Sequence, residues 1–232
     1  MRTLWLEFKL LKEDIIKIIL INSVLPILGT LLILNVYQMF LNATITNAFG
    51  LLLGKVSDFN WMYWIIMGLG YIILLQIIWK PRTKYFEYTI LILHKKKYLF
   101  WINRLIITFF FTLIFLSIYF FTALFLFQSI GIDLKANFFL LIQFIFILVN
   151  LYLHGTLWVL LKMLLSSKIA NILLVVLFYG GVKISKPFSP LYFSMILNFD
   201  TTMILVVLIL EIGIILLFFL LIVRIGIRKD YY

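Results

Sequence analysis

Glu211 stands near the middle of the apolar run 201–223 and is the residue whose type and place most demand a chemical explanation. Insertion scales put the cost of an acidic side chain at a bilayer centre at roughly 2.5 to 3.5 kcal/mol, a figure measured for Asp. Something must offset it: a neutral carboxyl hydrogen-bonded inside the bundle, a basic partner from another helix, or a water-filled path. His154, in the run 138–161, is the titratable residue expected at comparable depth. Glu211 and His154 are therefore the candidate translocation or gating groups. Asn35, Gln38, Gln76, Gln143 and Asn150 are read as polar stitches between helices.

Other chemistry is thinly supplied. The chain has no cysteine, so neither disulfides nor thiolate sites arise. His94 and His154 fall in different compartments and have no ligands at metal-binding spacing, so no metal set is expected. Nothing pairs a nucleophile with a base or sets two carboxylates to work together, and no catalytic residues are assigned. Gly50 and Gly54 bracket three leucines ahead of Lys55. A phosphate-binding loop needs four residues between its glycines and a Ser or Thr after the lysine, where this chain has Val56. A loose apolar loop or a close-packing small-residue contact is the expectation there. Asn42, Ala43 and Thr44 match a glycosylation sequon, a short and unspecific pattern.

The elements that must position Glu211 and His154 are membrane spans. Hydrophobic residues make up 65% of the 232, charged residues 12%, and the mean hydropathy is +1.18, which is the composition of an all-α integral membrane protein. A crossing needs about 20 apolar residues, and the spans fall at about 18–41, 61–79, 105–128, 138–161, 169–182 and 201–223. The first run is too long for a signal peptide and lacks a cleavage site, so it reads as a retained span. A net charge of +11 in so apolar a chain fits the cytoplasmic membrane surface rather than nucleic acid.

Basic residues set the orientation. With the N-terminus cytoplasmic, the outer side holds only Lys55, Lys135, Lys183 and Lys186 of the 20 Lys and Arg. That asymmetry places both termini inside. Residues 1–17 form a cytoplasmic amphipathic segment in which Leu4, Phe8, Leu11 and Ile15 share a face opposite Lys9, Glu13 and Lys17. It is read as an interfacial helix or as a charged run-up to the first span. Toward the other end, Gly180, Gly181, Pro187 and Pro190 interrupt the apolar pattern. The fifth helix is expected to break near Gly180, followed by a re-entrant segment within 185–199 that dips back without crossing.

The cytoplasmic loop 80–104 carries Glu87, then Thr89, Ile90, Leu91, Ile92 and Leu93, then His94, Lys95, Lys96 and Lys97, and climbs back through Asn103 and Arg104. Six spans, an amphipathic N-terminus, this loop and a broken fifth helix together resemble the permease subunit of a type-2 ABC exporter. The resemblance implies that Glu87, Thr89, Leu91, Leu93, Lys95, Lys96 and Lys97 form a coupling helix seated in a groove of a separate ATP-binding cassette subunit. ATP and Mg would be bound by that partner, no cofactor by this chain, and this chain would not itself be an enzyme. A second permease, identical or related, would face it across the substrate path.

An aromatic content of 18% suits an amphipathic or hydrophobic cargo, with a bacteriocin-like or cytolytic peptide favoured. Richness in Ile, Lys, Asn, Phe and Tyr resembles proteins of AT-rich bacteria, which implies a bacterial cytoplasmic membrane. Two rivals stay open: a proton-coupled secondary transporter or channel, and a non-transporting assembly or sensor subunit.

Overall fold

A computed structural model describes residues 14–34, 48–56, 60–80, 97–129, 131, 138–184, 186 and 189–228. Six α-helices account for most of them: α1 (Ile15–Leu34), α2 (Trp61–Ile78), α3 (Lys97–Ser129), α4 (Phe138–Leu164), α5 (Ser167–Ile184) and α6 (Thr201–Arg228). Among the described residues there is no strand. Five helices, α2 to α6, are long and apolar enough to cross a membrane, so the chain has the make-up of a multi-pass membrane protein. In hydrocarbon a helix is the natural choice, because it satisfies every interior N–H and C=O within its own segment.

The helices close into a ring. α1 packs on α2 and α3, α2 on α5, α5 on α4, α4 on α6 and α6 on α3, with α3 and α4 also touching across it. Of the five long helices α2 to α6, α2 is the most enclosed and α6 the least. Small residues allow the close approaches. A Cβ at Gly29 would lie 2.9 Å from the Tyr63 ring, and one at Gly70 would lie 2.7 Å from Leu25, so α1 and α2 meet nearly backbone to side chain. A Cβ at Gly155 of α4 would collide with the Tyr71 hydroxyl, which is itself hydrogen-bonded to Thr112 Oγ1 at 2.9 Å. Between these contacts lies a core rich in aromatic rings, with Tyr63 edge-on to Tyr119 at 5.8 Å and Phe115 against Tyr119 at 4.8 Å.

The stretch Gly50–Gly54 is one turn of π-helix and is buried rather than loose. Leu52 and Leu53 are fully enclosed. Asn60 Nδ2 donates to Leu52 O at 3.0 Å and to Lys55 O at 2.7 Å, and Gln143 Nε2 of α4 donates to Phe49 O at 3.0 Å. These side-chain amides answer backbone carbonyls that the irregular turn leaves open. The two glycines admit Leu197, whose side chain would lie 2.7 Å from a Cβ on Gly54 and 3.5 Å from one on Gly50.

Several boundaries differ from the sequence reading, the first being that α1 starts at Ile15 and takes in 15–17, assigned to the amphipathic segment. The helix of the third span starts at Lys97, so 97–104, assigned to the coupling loop, is helical, and Asn103 and Arg104 are buried in it. Tertiary packing of Phe100, Trp101 and Leu105 carries the helix through the charged residues. The fifth helix does not break near Gly180: α5 runs unbroken through Gly180 and Gly181 to Ile184. Gly181 serves close packing instead, since a Cβ there would come within 2.6 Å of Leu191 and of Ser189 Oγ. The last helix continues past 223 to Arg228, roughly 42 Å of helix at 1.5 Å per residue.

The chain between α5 and α6 contains two short 3-10 turns, Pro190–Ser194 and Ile196–Asn198. The first packs on both α4 and α5. Phe146 of α4, Ile196 and Val207 of α6 form a second, smaller apolar core, with Phe193 and Phe199 packed against it.

Candidate functional site

Near the midpoints of α4 and α6 a buried polar cluster interrupts the apolar packing. Asn150 and His154 are one turn apart on α4 and so share a face. Asn150 and His154 are fully buried and Glu211 is 2% exposed. Asn150 Nδ2 donates to Glu211 Oε1 at 2.5 Å and to Pro190 O at 2.8 Å. His154 Nδ1 donates to the Asn150 backbone carbonyl at 2.8 Å, and its ring stacks on Phe178 of α5 at 4.6 Å.

One amide thus joins three elements: α4, α6 and the first 3-10 turn. The local reasons are plain. Proline at 190 has no N–H, but its carbonyl, the first of the 3-10 turn, has a second lone pair that can accept a side-chain donor. Asn150 supplies that donor, and its second amide hydrogen goes to Glu211. His154, the titratable residue expected at comparable depth, is tied like Glu211 to Asn150, and the two are not hydrogen-bonded to each other.

At the basic end of the bundle a second constellation closes the C-terminus of α2. Arg104 Nη1 of α3 donates to Ile78 O at 2.6 Å, and Lys162 Nζ of α4 donates to Trp79 O. Both carbonyls belong to the last turn, where a helix concentrates negative partial charge, so two cations there are electrostatically matched. Trp79 Nε1 donates to Thr108 Oγ1 at 2.9 Å, and its ring stacks on Trp101 at 5.9 Å. Trp101 fills the space beside Gly226 of α6. Trp158 supports Lys162 at 5.2 Å, a cation over an aromatic face. Four helices, α2, α3, α4 and α6, are therefore fastened around Trp79, immediately before the chain enters the basic loop.

Of the coupling residues, Glu87, Thr89, Leu91, Leu93, Lys95 and Lys96 lie outside the described residues, and Lys97 is the first residue of α3. Leu4, Phe8 and Leu11 also lie outside them; Ile15 opens α1, and its side chain is not among those described. Among the described residues no group of His, Asp and Glu is placed to hold a metal ion. Comparison with protein-family models, characterised proteins and solved structures finds no match to this chain.

The capping roles of Arg104 and Lys162 and the Pro190 carbonyl were not singled out from the sequence. Arg104 was counted only as a basic loop residue. The signal available was the run Trp79-Lys80 at the end of a span, where aromatic and cationic anchors concentrate.

Proposed function

We propose that this chain is the membrane-spanning permease subunit of a type-2 ABC exporter, working with a separate ATP-binding cassette subunit and a second permease. In this reading α1 is the first of six crossings, both chain ends are cytoplasmic, and an amphipathic or hydrophobic cargo, a peptide in the favoured case, passes between two permeases. The bacterial cytoplasmic membrane is its setting. The observation that carries the reading is the connection between α5 and α6. Its first 3-10 turn is folded against α4 at Asn150, which supports reading it as a re-entrant segment roofing a substrate path. The fastening of four helices around Trp79 adds support, because motion imposed on the loop after α2 would reach the bundle as a rigid body.

The test is capture of the tagged chain from its native membrane in mild detergent, followed by mass spectrometry. An ATP-binding cassette subunit is expected in stoichiometric amount, and is expected to be lost when 86–96 is replaced by a neutral linker. Recovery of the chain alone, or with only copies of itself, refutes the proposal. A second reading, a proton-coupled secondary transporter, is favoured by the buried Glu211, Asn150 and His154 cluster. Collapse of the proton gradient at constant ATP separates the two: it stops the transporter and leaves the exporter running.

A further inference from the structure

The hydrogen-bond inventory around Asn150 is unbalanced in one direction. An asparagine amide has two N–H donors, and both are spent, one on Pro190 O and one on Glu211 Oε1. Pro190 O can only accept, so this orientation of the amide is forced. Asn150 Oδ1 and Glu211 Oε2 are left buried with no hydrogen-bond partner. Because His154 Nδ1 faces a backbone carbonyl, it carries the ring hydrogen, and Nε2, also buried and without a partner, is an acceptor in the neutral ring. All three open atoms accept. The cluster is short of donors, not of acceptors, and buried polar atoms in native proteins are nearly always satisfied.

We infer that Asn150 and Glu211 form a built binding site for one O–H donor, a proton or a water molecule, enclosed between α4, α6 and the Pro190 turn. A single O–H between Glu211 Oε2 and Asn150 Oδ1 completes the pair, giving acid and amide two hydrogen bonds. A hard metal cation is the wrong occupant: calcium takes six to eight oxygen ligands and magnesium six, while this pair offers two open oxygens, with Pro190 O already engaged. His154 Nε2, one turn along α4, is a further unpaired acceptor on the same helix. The site is a property of this chain alone, so it stands or falls apart from the exporter reading.

Infrared spectroscopy of the full-length chain in lipid nanodiscs tests it, without any ATPase present. If the donor is a proton, the wild type shows a protonated carboxyl band that shifts in D2O and is missing from Glu211→Gln. If it is water, the wild type shows a carboxylate band and an isolated bound-water O–H band that disappears in both Glu211→Gln and Asn150→Leu. Neither signature, with the Glu211 bands unchanged in Asn150→Leu, overturns the inference. Thermal unfolding gives an independent readout. Glu211→Gln brings its own N–H donor to Asn150 Oδ1 and is expected to melt at or above wild type, whereas Glu211→Leu is expected to melt lower by about 2–4 °C or more. A Glu211→Gln protein that melts below wild type and level with Glu211→Leu refutes the donor shortage.

Discussion

Gly180 and Gly181 are adjacent in sequence and inside one helix, yet alanine at the two positions is expected to act in opposite directions. A Cβ on Gly180 meets nothing within 4 Å. Gly180→Ala therefore gains helix propensity without a clash, up to about 0.8–1 kcal/mol. A Cβ on Gly181 would stand 2.6 Å from Leu191 Cβ and 2.6 Å from Ser189 Oγ. Leu191 is fully buried and its Cβ moves only with the backbone of the 3-10 turn. Overpacking of this kind costs typically about 1–3 kcal/mol, against which the propensity gain is the smaller quantity. The propensity gain is common to both variants, so their separation is the overpacking itself, about 1–3 kcal/mol. At roughly 2–4 °C per kcal/mol for a chain of this size, that is about 2–12 °C in Tm. Thermal unfolding in lipid nanodiscs, followed by tryptophan fluorescence, reads it. Equal shifts for the two variants, or a loss confined to Gly180→Ala, would mean that α5 breaks where the sequence pattern suggested and that the packing of Gly181 on the turn is wrong.

Further outcomes follow from the two polar constellations. Asn150→Leu removes donors to Pro190 O and Glu211 Oε1 together. With intramembrane hydrogen bonds averaging about 0.6 kcal/mol and reaching about 1.7, the loss is roughly 1–3 kcal/mol, and a cycle with Glu211→Leu should be non-additive; additivity within about 0.3 kcal/mol denies the contact. Arg104→Met and Lys162→Met each uncap the end of α2 and should lower Tm by about 1–7 °C, with faster hydrogen exchange at the last turn of α2 as the local readout. Under the proposed function, Glu87→Lys should lose the captured ATPase subunit while leaving Tm unchanged; intact capture and transport would remove Glu87 from the coupling role.

The run lengths that define five of the helices were legible because hydrocarbon imposes them: about 20 apolar residues, read directly from composition. The end of α5 was not. A Gly-Gly pair lowers helix propensity, but within a membrane a backbone hydrogen bond has no competing water, so the helix continues and the glycines become packing surface. Lys97 to Arg104 looked like loop because charge reads as solvent. In the fold Arg104 is buried by spending its guanidinium on the Ile78 carbonyl and lying beside Trp79, long-range contacts that no local pattern contains, as well as over Phe100 one turn back on its own helix. Glu211 announced itself by hydropathy alone, whereas its partner needed the fold: Asn150 is 61 residues away and reaches it only because α4 and α6 pack along their lengths.

The arrangement of these contacts bears on how such a bundle would open. α6 is the least enclosed of the five long helices, and α4 is the one it packs against most extensively. Separating them at mid-depth must break the Asn150 to Glu211 bond. The same amide also holds Pro190 O, so a rotation of Asn150 that frees Glu211 releases the turn as well. Away from that point the segment between α5 and α6 is held by apolar contacts, Leu191 against Gly181, Leu197 against the Gly50–Gly54 turn and Phe199 against Phe146. At the opposite end, the cations and rings around Trp79 keep α2, α3, α4 and α6 together. The bundle is thus fastened firmly at its basic end, while α4, α6 and the Pro190 turn are joined near their middle by the amide of Asn150. Any motion that parts α4 from α6 at this level has to act on Asn150.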